Sequence, residues 1–148
     1  MNMPIGDVLR AKGAAVETIA PSATVLDAIR QMRAHRIGCL VVVSAARRVS
    51  GLVSERDCMW RTVAEGRSPR TMLVKEIMTP LRKLTTVTSE QTVNDCMNLM
   101  TEGRHRHLPV MQGAKLTGLI SIGDVVKFLL GDQQATIQSL EKYIEGSL

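Results

Sequence analysis

Gly118-Leu-Ile-Ser-Ile-Gly-Asp124 runs directly into Val125-Val126-Lys127-Phe128-Leu129-Leu130. An apolar stretch ending in Ser121, with Asp124 three positions on, reads as a buried strand that delivers a hydroxyl and a carboxylate to the first turn of a helix. The same arrangement stands upstream as Gly51-Leu-Val-Ser-Glu-Arg-Asp57. Two such joints in similar surroundings point to an internal duplication.

The surroundings repeat as well. Thr24 opens a predicted helix with Val25, Ala28, Ile29 and Met32 on one face; Thr92 opens another with Val93, Cys96, Met97 and Met100. Val93 follows Val25 by 68 positions, as Asp95 follows Asp27 and Met100 follows Met32. Gly118 and Asp124 follow Gly51 and Asp57 by 67, which places one deletion in the second hairpin. Predicted strands fall at 16–19, 38–43 and 49–53, then at 84–88, 107–111 and 116–120. Predicted helices start at Thr24, Ser54, Thr92 and Ser121, the second running to about Glu65 before Gly66 and the last to Leu130. Gly38 to Val43 lacks alternation, so that strand is expected to be buried on both faces. Each half is strand–helix–strand–strand–helix and too small to be comfortable alone. The fold class is therefore α/β (α+β), two halves packed sheet to sheet about a pseudo-two-fold axis. The division is 1–15 as a leading segment with a short helix, 16–66 and 80–131 as the repeats, 67–79 as a polar connector, and 132–148 as a C-terminal helix. That last helix carries Ile137, Leu140, Tyr143 and Ile144 as an apolar stripe to bury, in its own chain or across a two-fold.

Composition narrows the function. The 148 residues are 45% apolar and 22% charged, an ordinary globular balance. One Trp, one Tyr and one Phe leave the core to Val, Leu, Ile and Met, and offer no stacking platform for single-stranded nucleic acid. The net charge of +5 favours anionic ligands without naming one. Cys39, Cys58 and Cys96 form no CxxC, so reduced thiols in a cytoplasmic protein are expected. No signal-peptide pattern and no apolar run of spanning length is seen, so membrane insertion is not expected. His105 and His107 lack further ligands for a metal, and no Walker loop, GxGxxG, nucleophile elbow or HExxH occurs; neither a metal site nor an enzyme is expected. The pairs Arg47-Arg48 and Arg82-Lys83 sit at turns with no recognition helix beside them.

Ser-x-x-Asp is also a plain helix-start signal. Thr24/Asp27, Ser54/Asp57, Thr92/Asp95 and Ser121/Asp124 all fit it, and capping alone accounts for the first and third.

Gly38-Cys-Leu-Val-Val-Val43 with Gly51–Asp57, Arg106-His-Leu-Pro-Val110 with Gly118–Asp124, and Ile77-Met-Thr-Pro80 before the second repeat resemble a tandem pair of CBS domains, the unit called a Bateman module. The resemblance covers about Val16 to Leu130. It implies a regulatory protein that binds an adenosyl nucleotide in the clefts between the motifs, usually as a homodimer, and signals to a partner protein. AMP is expected first, with ATP or NAD as alternatives. In the family the Asp of the joint holds both ribose hydroxyls, helped by the Ser. An ionised carboxylate accepts two hydroxyl donors from a vicinal diol. The resemblance thus assigns Thr86, Val87, Thr88, Arg106, His107, Pro109, Ser121, Ile122 and Asp124 to one cleft. Ile19, Ala20, Gly38, Cys39, Ser54, Arg56 and Asp57 go to the other, weaker one. Arg106 and His107 align with Gly38 and Cys39, so the phosphate grip is expected beside Asp124, with Arg56 a lesser substitute beside Asp57. The alternative is a structural or dimerisation module with no physiological nucleotide.

Overall fold

All four Ser/Thr-x-x-Asp quartets form reciprocal caps in the computed structural model, which describes residues 3–146. At Thr24, Ser54 and Thr92 the hydroxyl accepts from the Asp backbone N–H, and the Asp carboxylate accepts from the cap residue's N–H. Ser121 and Asp124 exchange the same two bonds at 2.9 and 3.1 Å. The caps fix where each strand becomes a helix.

The elements run α1 (Ile5–Lys12), β1 (Thr18–Ile19), α2 (Val25–His35), β2 (Cys39–Val43), β3 (Val49–Ser54) and α3 (Glu55–Met59), the last continued by a π-helical turn, Trp60–Ala64. Then come α4 (Val74–Ile77), β4 (Thr79–Pro80), a 3-10 turn at Leu81–Lys83, α5 (Val93–Gly103), β5 (His107–Gln112), β6 (Lys115–Ser121) and α6 (Ile122–Gly146). One sheet has the order β1-β2-β3-β4, with β1 parallel to β2 and the rest antiparallel. The other is the antiparallel pair β5-β6.

The second sheet lacks the strand expected at 84–88, and the cause is Pro109. In the first half, Val41 N–H donates to the Glu17 carbonyl to help seat the parallel strand. The residue 68 positions after Val41 is Pro109, which has no N–H to donate. Only Val87 remains paired, through its N–H to the Pro109 carbonyl and its own carbonyl to Met111 N–H.

Both faces of β2 are buried, as the missing alternation predicts. Leu40 and Val42 point into one core with Val25, Ala28, Met32 and Val53. Val41 points the other way, where it meets Val49 and Met111 between the two halves. The equivalent core of the second half gathers Val93, Cys96, Met100, Leu108, Val110 and Ile120. Ile29 and Met97 depart from expectation: each is 37% exposed on the outer flank of its helix.

Each half borrows its last wall from a segment outside its repeat. Ile5, Val8 and Leu9 of α1 complete the second core. Met72, Val74 and Ile77, on either side of the start of α4, complete the first. The backbone bonds match pair by pair. Ile5 N–H donates to Gln91 and Val93 N–H to Met3; Val74 N–H donates to Ala23 and Val25 N–H to Met72. The stretch read as a polar connector therefore contains two fully buried side chains, Met72 and Val74.

The C-terminal helix is not separate. It is the continuation of α6, because one Gly in the helix interior, Gly131, does not stop a helix already packed over its first turns. Ile137, Leu140 and Ile144 are 47%, 57% and 60% exposed, so this stripe is not buried within the chain. The side chain of Tyr143 lies outside the described residues. None of the described helices is long and apolar enough to cross a membrane.

Candidate functional site

Two clefts lie where the halves meet, and each is built from both. In the first, of about 420 Å³, Ser54, Arg56 and Asp57 at the start of α3 face Arg104, His105, Arg106 and His107 before β5. In the second, of about 370 Å³, Ser121 and Asp124 at the start of α6 face Arg36, Ile37, Gly38 and Cys39 before β2, with Lys12 at the rim. The 68-residue offset that aligns Arg36 with Arg104 relates one cleft to the other. Arg36 and Arg104 both end their helices in the left-handed conformation, φ 54° and 55°. That conformation is uncommon for a residue with a Cβ, and here it turns each chain from helix to strand beside the opposite half's carboxylate.

This arrangement corrects the assignment of residues to clefts. Arg106 does not sit with Asp124; it lines the Asp57 cleft. Cys39 pairs with Ser54 across β2 and β3 and feels the Asp57 charge, yet it lines the Asp124 cleft. The reason is the pseudo-two-fold axis, which lays the entrance of one half's strand against the helix start of the other. Gly38 and His107 border both clefts. The cleft richer in guanidinium groups, lined by Arg56, Arg104 and Arg106, is thus the one that holds Asp57. Thr86, Val87, Thr88, Pro109, Ile122, Ile19 and Ala20 line neither cleft. Val87 and Ile19 are instead core residues, 1% and 7% exposed.

The carboxylates differ in state. Asp57 Oδ2 accepts from Ser54 N–H at 2.9 Å and from Ser54 Oγ at 3.0 Å. Its Oδ1, like that of Asp124, has no hydrogen-bond partner among the described residues. Asp124 Oδ2 accepts from Ser121 N–H and also from Lys12 Nζ at 2.6 Å. Burial pushes the Asp124 carboxyl up, but the Lys12 hydrogen bond, the Ser121 N–H and the Lys12 charge together hold it below the usual carboxylate range. His107, between the clefts, is held below the usual imidazole range. Burial is the main cause; the Arg106 and Lys12 charges add to it, and Asp124 and Glu55 oppose it. The ring is neutral at pH 7 and offers one donor and one acceptor.

Burial disfavours the thiolate form of all three cysteines. Burial pushes the Cys58 and Cys96 thiols up to about 11 and Cys39 further still. No group of three His, Cys, Asp or Glu side chains among the described residues is arranged to hold a metal.

Comparison with known proteins agrees with this layout. The family model described as CBS domain matches twice, over residues 5–61 and 74–131. The chain belongs to the CBS-domain family. It is a tandem pair, and such pairs are often regulatory ligand-binding modules. Among relatives, "CBS domain-containing protein CBSX3, mitochondrial" of Arabidopsis thaliana is 37% identical over 96% of this chain and 72% of its own length. Against two longer Arabidopsis CBS proteins the match takes in only 19% and 18% of their length. A solved structure of a putative signal-transduction protein with CBS domains from Burkholderia ambifaria is 42% identical. It covers 88% of this chain and 96% of its own, with TM-score 0.82. A hexameric CBS-CP12 protein from bloom-forming cyanobacteria is 32% identical over 85% of this chain and 67% of its own, with TM-score 0.73. Related CBS proteins thus form oligomers.

Lys12 and Arg36 are site residues that motif reading does not reach. Arg36 had a signal in its alignment with Arg104. Lys12 had none, because α1 was assigned to no core and its neighbours were unknown.

Proposed function

We propose that this CBS pair is a non-enzymatic regulatory module that binds an adenosyl nucleotide and passes occupancy to a partner protein. One observation carries the reading: each cleft sets a Ser-x-x-Asp joint of one motif against strand-entrance residues of the other. A ligand that spans such a cleft bonds to both halves at once. Its binding free energy then depends on how the halves sit, and that is how occupancy becomes a shift in conformation. The carboxylate suits a ribose diol, and Arg56, Arg104 and Arg106 suit phosphate, for which a guanidinium fork is well shaped. AMP is the simplest compound with both groups; ATP and NAD share them.

The same module is inferred to work as a homodimer. Exposed apolar residues recur in pseudo-symmetric pairs: Ile29 with Met97, Met59 with Val126, Val63 with Leu130. The helix faces that carry them, and the stripe along the end of α6, lie open in one chain and would be covered by a second.

A thermal-shift panel of AMP, ADP, ATP, NAD, S-adenosylmethionine and adenosine tests the reading. A ligand at 100 times its Kd adds about 2.7 kcal/mol, roughly 5–10 °C in Tm for a chain of this size. If no adenosyl compound raises Tm, the chain is a structural module. Sedimentation of the same samples checks the dimer, and a monomer at micromolar concentration contradicts it.

A further inference from the structure

The two clefts are unequal in a way that the repeat does not require. Lys12, the last residue of α1, reaches over β6 and donates to Asp124 Oδ2 at 2.6 Å and to the Leu119 carbonyl at 2.8 Å. Its side chain is 30% exposed and that of Asp124 20%, so the pair is only partly open to water. Its position is set by Gly118. A Cβ there would come within 2.6 Å of Leu9 Cδ2, so the bare glycine lets α1 lie directly on β6. One turn after Leu9, Lys12 lands on the carboxylate.

The other half repeats the seat without the cation. Met78, 69 positions after Leu9, lies with its Sδ 3.1 Å from a Cβ placed on Gly51, and the chain then pairs with β3 through Thr79 and Pro80. Val74 and Ile77 stand 69 positions after their counterparts Ile5 and Val8. The same offset from Lys12 gives Leu81, which has no charge to place on Asp57. Among the described residues Asp57 makes no ion pair.

We propose that Lys12 is an internal occupant of the Asp124 cleft, competing with the ribose hydroxyls of a ligand for the carboxylate. This rests on the reading of the clefts as adenosyl sites. The ammonium already makes a charge-assisted bond to the oxygen that also completes the helix cap. A diol that takes both oxygens of the Asp124 carboxylate must displace it from Oδ2, and the Asp57 cleft, with no such competitor, fills first. Because α1 is also a wall of the second motif's core, displacement of Lys12 connects occupancy of this cleft to the N-terminal segment.

Calorimetric titration of the full chain with AMP tests this on the parent, Lys12→Met, Lys12→Arg and Lys12→Met with Asp124→Asn. Methionine keeps the unbranched stem and removes the charge, and a melting curve of each variant confirms folding. The parent should show one strong site per chain. Lys12→Met should tighten the second site by roughly tenfold or more, the scale of one charged hydrogen bond. Asp124→Asn should remove that gain, and Lys12→Arg should behave as the parent. Weaker binding at the second site in Lys12→Met, or no change, overturns the proposal and makes Lys12 a ligand contact or a bystander. Those outcomes leave binding in the Asp57 cleft intact. If AMP binds neither the parent nor Lys12→Met, the nucleotide reading itself fails, and the role of Lys12 with it.

Discussion

Replacing Asp57 by Asn is expected to weaken AMP binding on the order of 10- to 100-fold while leaving the unliganded protein nearly as stable as before. The two parts of this expectation come from two uses of one side chain. As a cap, Asp57 needs one oxygen to accept from Ser54 N–H, and the Asn carbonyl supplies it. The charge lost from the first turn of α3 is worth only about 0.3–1 kcal/mol. As a ribose anchor, Asp57 needs a second acceptor, and the Asn amide presents a donor there instead. Calorimetry with AMP and a melting curve without it separate the two. A fall of several degrees in the unliganded Tm with unchanged AMP affinity would make Asp57 a cap and nothing more.

Met72→Ala is expected to cost about 2–5 kcal/mol of stability, on the order of 5–15 °C in Tm. Met72 is 1% exposed and packs in the first motif's core, and its carbonyl accepts from Val25 N–H at 2.8 Å. Truncation leaves a cavity that the surrounding strands and α2 cannot close. Arg70→Ala, two residues away and exposed, should stay within about 0.5 kcal/mol. Denaturant melts of both variants decide the matter. A cost under about 1 kcal/mol for Met72→Ala would mean that this segment is a tether and not part of the core.

That contrast shows what the chain discloses by itself. The helix starts were legible because a cap is a local device, with a hydroxyl and a carboxylate three residues apart closing bonds within one turn. The repeat was legible because the same devices recur at fixed offset. Met72 and Val74 were not, since a run of only three apolar residues, Met72-Leu73-Val74, among Arg67, Ser68, Arg70, Thr71 and Lys75 leaves the segment polar on average. The strand expected at 84–88 failed through a missing N–H at Pro109, on a different strand. The helices expected to Leu130 and over 132–148 are one element, because the repeat ends at Leu130 while the helix runs on through Gly131.

The candidate site shows the same division more sharply. Ser54, Asp57, Ser121, Asp124, Arg106 and His107 were all visible as chemistry, yet their partnership was not. Pairing Arg106 with Asp124 follows from their closeness in sequence. Pairing Arg106 with Asp57 follows from the pseudo-two-fold, which sets each strand entrance against the opposite helix start. Lys12 depends on α1 lying on β6, a contact set by Gly118 and Leu9 across more than a hundred residues of chain.

The central claim is that one ligand is held by both motifs together, and Arg106 tests it most directly. In an Asp124→Asn background only the Asp57 cleft keeps its carboxylate. Calorimetry there, with AMP and with adenosine, with and without Arg106→Ala, reads whether Arg106 serves that cleft through phosphate. AMP affinity should fall roughly 10- to 100-fold on losing the guanidinium, and adenosine affinity should stay within about a factor of two. An unchanged AMP affinity, or an equal loss for AMP and adenosine, would contradict the account.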